Sequence, residues 1–148
     1  GSKRSVRMIP MPGCHTNEDC VIWAAEDKVL FVGDIFGWGL IPLTVNLRRD
    51  SRDLLLDTYR RLIGFDAAVV VPGHGPLCGT AELERWVDYF LWLEKVVSKA
   101  CAAGENDAEI RERAQPPDDM RFWWRFREWK HDDTLGRIIK ACRKGWLG

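Results

Sequence analysis

Histidine is scarce in this chain: three occur in 148 residues. A centre built from many imidazoles is excluded, and any metal or catalytic role for histidine must fall on His15, His74 or His131. Net charge is missing too. Twenty-two basic and twenty-two acidic residues cancel, which removes the overall basic field on which most nucleic-acid binders rely. No apolar run approaches the roughly 20 residues of a membrane span. No signal-peptide pattern opens the chain, and Gly1-Ser2 reads as a cloning remnant. These absences predict a cytoplasmic protein with neither nucleic acid nor membrane as partner. Cysteines occur at 14, 20, 78, 101 and 142, without C-x-x-C spacing. They read as free thiols of a reducing compartment. Cys14 and Cys78, which lie near the histidine words, are the two that could instead touch a metal.

What the chain does have is 46% apolar residues and eight tryptophans. At this length it can bury roughly 70% of its unfolded surface. One domain is expected over residues 3–148, with 3–79 carrying the strands and 80–148 mostly helical. The first strand runs from Ser5 to Pro10. Cys20–Ala25 and Val29–Val32 read as a hairpin about the polar turn Glu26-Asp27-Lys28. A helix capped by Asp50 or Ser51 runs to Ile63, with Leu55, Leu56, Tyr59, Leu62 and Ile63 on one face. Asp66–Val71 lacks alternation and reads as a strand buried on both faces. Thr80 caps a long helix closed by Gly104, with an apolar stripe of Leu83, Trp86, Val87, Phe90, Leu93, Val97 and Ala100. Further helices are expected over 105–114, 118–129 and 133–144. In 118–129 the spacing packs Phe122, Phe126 and Trp129 inward. His131 reads as a surface or helix-end residue, and Asp118-Asp119 and Asp132-Asp133 read as helix caps.

Three words stand apart from this scaffold. They are Pro12-Gly13-Cys14-His15-Thr16, Val29-Leu30-Phe31-Val32-Gly33-Asp34, and Val69-Val70-Val71-Pro72-Gly73-His74-Gly75-Pro76. Each is a strand, or follows one, and ends in a tight turn bearing a metal-type ligand. With local connections for the first three strands and a helical crossover before the fourth, strands one, three and four share a direction. His15, Asp34 and His74 then meet along one sheet edge, where ligand sites of open α/β sheets gather. Imidazole and carboxylate suit a divalent cation such as zinc. Gly13, Gly33, Gly73 and Gly75 let the turns take positive φ. Phe36 and Trp38, just past Asp34, are placed to line that edge as substrate contacts.

The order of these words resembles the C-terminal half of the metallo-β-lactamase fold, over Arg4 to about Trp92. The family's third ligand word usually reads P-G-H-T; here Cys14 stands before His15. The resemblance implies an α/β fold, half of an αββα sandwich: a mixed sheet of about four strands with C-terminal helices, which many relatives carry after the last metal histidine. It implies that His15 binds a first metal, Asp34 bridges two, and His74 binds the second. The metal would be zinc, or iron or manganese, and could be absent from this chain. A metal-bound hydroxide would attack an ester, amide, thioester or phosphoester. The family's H-x-H-x-D-H word, which supplies the remaining ligands, does not occur in these 148 residues. Two readings follow. The chain is part of a metal-dependent hydrolase, incomplete without an N-terminal half, or it is a non-catalytic dimeric structural or binding module. Both require a partner, either a complementary half or a second copy, because half a sandwich exposes an apolar sheet face unless the C-terminal helices fold back over it.

Overall fold

The computed structural model describes residues 3–147, so Gly1-Ser2 and Gly148 lie outside it. Strands β1 (Val6–Pro10), β2 (Cys20–Ala24), β3 (Val29–Gly33) and β4 (Val69–Pro72) form one mixed sheet in the order β1-β2-β3-β4. β1 and β3 are each antiparallel to β2, and β4 is parallel to β3. Strands β1, β3 and β4 therefore share a direction, as the connections require. Helix α1 (Arg49–Ile63) makes the crossover between β3 and β4. Helices α2 (Thr80–Ala102), α3 (Asp107–Arg113) and α4 (His131–Arg143) complete the chain.

Alternation along the strands decides what each sheet face does. Val21, Trp23, Leu30, Val32 and Val70 are buried. Their face is covered by the apolar sides of α1 and α2. Tyr59 of α1 stacks on Trp86 of α2 at 4.2 Å, and Trp86 stacks on Phe90 at 5.3 Å. The α2 stripe is as its spacing predicts, except that Tyr89 is buried and Val87 only half-buried. The opposite sheet face is open. It presents Val6, Met8 and Phe31, which are 66%, 70% and 43% exposed, with Ile22, Val29, Val69 and Val71 half-buried between them. β4 is thus buried on one face, not two. Its apolar run makes a half-buried strand because α4 packs on α2 instead of crossing to the far side of the sheet.

Helix ends follow local chemistry with small shifts. Ser51 accepts a hydrogen bond from the Arg48 N–H at 2.9 Å, so α1 begins one or two residues before the expected cap. Gly79, not Thr80, is the cap residue of α2, and the Glu82 carboxylate accepts its N–H at 2.8 Å. Three of the four paired aspartates form ion pairs instead of caps: Asp119 with Arg85 at 2.5 Å, Asp132 with Arg111 and Asp133 with Arg137, both at 3.0 Å.

The largest departure lies between α3 and α4. A continuous helix over 118–129 does not form. The segment holds a 3₁₀ turn at Asp118–Met120, a left-handed residue at Arg125 (φ 55°) and a π-helical turn at Phe126–Lys130. Only Phe126 of the three expected inward aromatics is buried; Phe122 is 83% exposed and Trp129 is 44% exposed. The break turns Trp123 and Trp124 toward the sheet edge, a tertiary gain that overrides helical spacing. His131 begins α4 but is buried. Its Nε2 lies 2.7 Å from the Ala114 carbonyl and its Nδ1 lies 2.9 Å from the Tyr89 hydroxyl. A carbonyl can only accept, so Nε2 carries the proton and Nδ1 accepts from Tyr89.

Burial holds the His131 pKa below its usual value, against a smaller opposing effect of the Ala114 carbonyl. A depressed histidine pKa means that the unfolded chain takes up the proton first as pH falls. Stability should be level above about pH 6.5 and decline below it as the unfolded chain protonates. His131→Gln should flatten that part of the curve, measured as urea midpoints at pH 7.5 and 5.5. His131→Ala should cost about 1–3 kcal/mol for each buried partner left unpaired.

Candidate metal edge

The loop after β3 decides the geometry of the site. Ile35, Phe36, Trp38, Ile41 and Leu43 are buried, so its backbone carbonyls cannot turn to water. Six of them accept from side chains elsewhere. Tyr59 Oη reaches Ile35 O (2.9 Å), Lys130 Nζ reaches Gly37 O (2.6 Å) and Thr134 Oγ1 reaches Gly39 O (2.9 Å). Trp86 Nε1 reaches Leu40 O (3.2 Å), His15 Nδ1 reaches Pro42 O (2.7 Å) and an Arg137 nitrogen reaches Leu43 O (2.6 Å).

At the start of this loop stands Asp34. His15 Nε2 lies 3.6 Å from its Oδ2, and His74 Nε2 lies 3.5 Å from its Oδ1. The three residues chosen from the sequence thus come together at the carboxyl ends of β1, β3 and β4. His15 sits on a turn built by Asp19, whose carboxylate accepts from the His15 and Thr16 N–H groups at 2.5 and 2.9 Å. Because its Nδ1–H is given to Pro42 O, its Nε2 lone pair is free toward Asp34, the arrangement found behind metal-bound histidines. Gly13, Gly33 and Gly75 take the positive φ expected of them, whereas Gly73 does not. Gly73 is needed for space: a Cβ there would overlap Asp34 Oδ1.

The donor set fits a divalent cation in kind, with two imidazole nitrogens and a carboxylate. Each histidine faces a different oxygen of Asp34, which suits a carboxylate shared between two positions. Among the described residues no three His, Cys, Asp or Glu side chains close into a ready cation cage. The triad stands open, with the His74 side chain 71% exposed.

A cavity of about 360 Å³ adjoins the triad. Phe36, Leu40 and Pro42 line it from the loop after β3, and Trp124, Trp129 and Lys130 from the segment before α4. Phe36 is thus at the edge as expected. Trp38 lies deeper, 7% exposed, with its indole against Gly75 and Trp123. Trp124 lies nearly parallel to the His74 ring, at 6.4 Å and 11°. Cys14 and Cys78 are not among the lining residues. Burial pushes both thiols up to about 12, so they are protonated at neutral pH. Asp19, Tyr59, Trp124 and Lys130 were not legible as site residues, since none lies in a ligand word. The alternation of aromatic and basic residues at 121–130 was the one available signal, and helical spacing misread it.

Residues 5–74 match the sequence model described as the metallo-beta-lactamase superfamily. No curated protein matches the chain. Among solved structures, a beta-lactamase domain protein from Burkholderia ambifaria aligns with a TM-score of 0.61 at 21% identity, over 98% of this chain and 42% of that one. A metallo-beta-lactamase family protein from Thermus thermophilus gives 0.60 at 19%, over 96% and 45%. An archaeal metallo-beta-lactamase superfamily protein from Sulfolobus tokodaii gives 0.52 at 19%, over 96% and 47%. At such identities the likeness is one of fold, and the chain spans less than half the length of each. Residues 5–74 thus match the metallo-beta-lactamase superfamily model, and by strand order and overall likeness the chain has part of a metallo-β-lactamase-like α/β fold.

Proposed function

We propose that this chain supplies the C-terminal share of a metal-dependent hydrolase centre, with His15, Asp34 and His74 as ligands to a divalent cation such as zinc, iron or manganese. The observation that carries this reading is the facing of two imidazole Nε2 atoms onto the two oxygens of one carboxylate. When bound, the metal supplies Lewis-acid polarisation and a lowered water pKa. Pro42 O holds the His15 tautomer, Asp19 holds its turn, and Gly73 gives Asp34 room. The remaining ligands and the acid/base carboxylate belong to a complementary H-x-H-x-D-H half.

The open sheet face favours a second reading, in which two copies of the chain pair through Val6, Met8, Ile22 and Phe31 as a dimeric module. A complementary half and a second copy compete for this one face, so dimerisation and completion of the site are alternatives.

Titration of the purified chain with zinc, followed by calorimetry, should show binding that Asp34→Asn or His74→Ala weakens by at least about tenfold, the scale that even outer-shell changes reach. Gly73→Ala should weaken it comparably by displacing Asp34. Affinity unchanged in all three variants would remove the metal reading. Ester hydrolysis should appear only after a chain bearing H-x-H-x-D-H is added. For the second reading, sedimentation should give a dimer at micromolar concentration that Met8→Glu with Phe31→Glu converts to monomer. A monomeric parent chain would rule the dimer out.

A further inference from the structure

Cys101 and Cys142 face each other across the C-terminal helices. Cys101 stands in the last turn of α2 and Cys142 in the last turn of α4, each half-buried against the core. Helix α3 carries the chain back between them, so α2 and α4 pack side by side and run in the same direction. Contacts at both ends fix their register. At the near end the Tyr89 hydroxyl lies 2.9 Å from His131 Nδ1. At the far end Arg143 donates to the Glu105 carbonyl and pairs with Asp107 at 3.1 Å, which ties the close of α4 to the loop after α2. Cys101 is twelve residues beyond Tyr89 and Cys142 eleven beyond His131, rises of about 18 Å and about 16.5 Å along the two helices. His131, Leu135, Ile138 and Cys142 follow i, i+4, i+7, i+11 spacing, so Cys142 ends the stripe that His131 opens. Burial first, and then the neighbouring Cys101 thiol, push the Cys142 thiol up to about 11. The other three cysteines belong to the sheet and its edge: Cys14 follows β1, Cys20 opens β2 and Cys78 bridges to Val70 of β4.

We propose that Cys101 and Cys142 are a redox pair that closes to an intramolecular disulfide on reaction with a small-molecule disulfide. Directly facing positions on two packed helices suit the Cα separation of about 4.4–6.8 Å that such a bond requires. One thiolate of the pair attacks a sulfur of the reagent, forming a mixed disulfide and expelling one small thiolate. The second protein thiol gives up its proton and attacks the protein sulfur of the mixed disulfide, expelling the other. Two protein thiols are oxidised to one S–S bond, the reagent is reduced to two thiols, and these carry away both protons. The bond closes the loop from 101 to 142, which holds α3, the 3₁₀ and π-helical turns and the cavity wall of Trp124, Trp129 and Lys130. Cross-linking a loop of that length removes conformational freedom from the unfolded chain. Oxidation therefore clamps the irregular segment that walls the cavity. The inference does not depend on the metal reading, since neither cysteine lies among the residues of that edge.

The test incubates the full chain with oxidised glutathione at about pH 8.5, where a free thiol is half ionised. Digestion without reduction, followed by mass spectrometry, should recover a fragment in which Cys101 is joined to Cys142, from a protein that still runs as a single chain. The oxidised chain should melt at least about 5 °C above the reduced one, and a reducing dithiol should reverse the shift. Cys101→Ala or Cys142→Ala should each abolish it. Glutathione carried separately on the two residues, a link from either to another cysteine, a link between two chains, or two unmodified thiols would each overturn the pair. A joined pair with an unchanged melting temperature, or a shift that survives Cys101→Ala, would overturn the clamp. The mapping uses the parent chain and needs no variant to fold.

Discussion

Everything at the sheet edge depends on how one buried loop satisfies its backbone. Residues 35–43 run through the interior, where an unpaired carbonyl costs as much as a lost hydrogen bond. Tyr59, Trp86, Lys130, Thr134 and Arg137 supply donors from α1, α2, the turn before α4 and α4 itself. The sixth donor, His15, belongs to the site. The same bonds that make the loop tolerable in the core therefore fix where Asp34 begins and which nitrogen of His15 is free. Local fold and site geometry are one construction here, and neither can be altered alone.

The second constraint is the half-finished sheet. Helices cover one face and leave the other with exposed Val6, Met8 and Phe31. A domain of this class is stable when each apolar face has a neighbour. The C-terminal helices do not supply one, because α4 packs on α2 and its preceding segment turns to the strand ends. The chain spans less than half the length of its structural relatives. The C-terminal segment instead adds one wall, of Trp124, Trp129 and Lys130, to the edge.

Much of the fold was legible in the chain. Short apolar runs bounded by polar turns placed β1 to β3, and 3.6-residue spacing placed α1 and α2. The three ligand words placed the turns that converge. Misreadings gathered where a residue's partner lies far away in sequence. His131 looked like a surface residue because nothing nearby indicates that Ala114 and Tyr89 would take both its ring nitrogens. The 118–129 segment has helical spacing, yet packing Trp123 and Trp124 on the edge outweighs a few turns of regular hydrogen bonds. β4 has the composition of a doubly buried strand because composition reports a strand's affinity for neighbours, not whether they are present.

The sequence by itself determined the strand directions, and so the meeting of His15, Asp34 and His74 at one edge. Direction follows from connection length and the crossover, both of which are local. Only the tertiary structure decided the orientation of those three side chains, the open sheet face and the placing of Lys130 beside the triad. Those outcomes rest on bonds that join residues as far as 95 positions apart, such as Thr134 to Gly39, and on which apolar surfaces found cover. Periodicity carries no record of either.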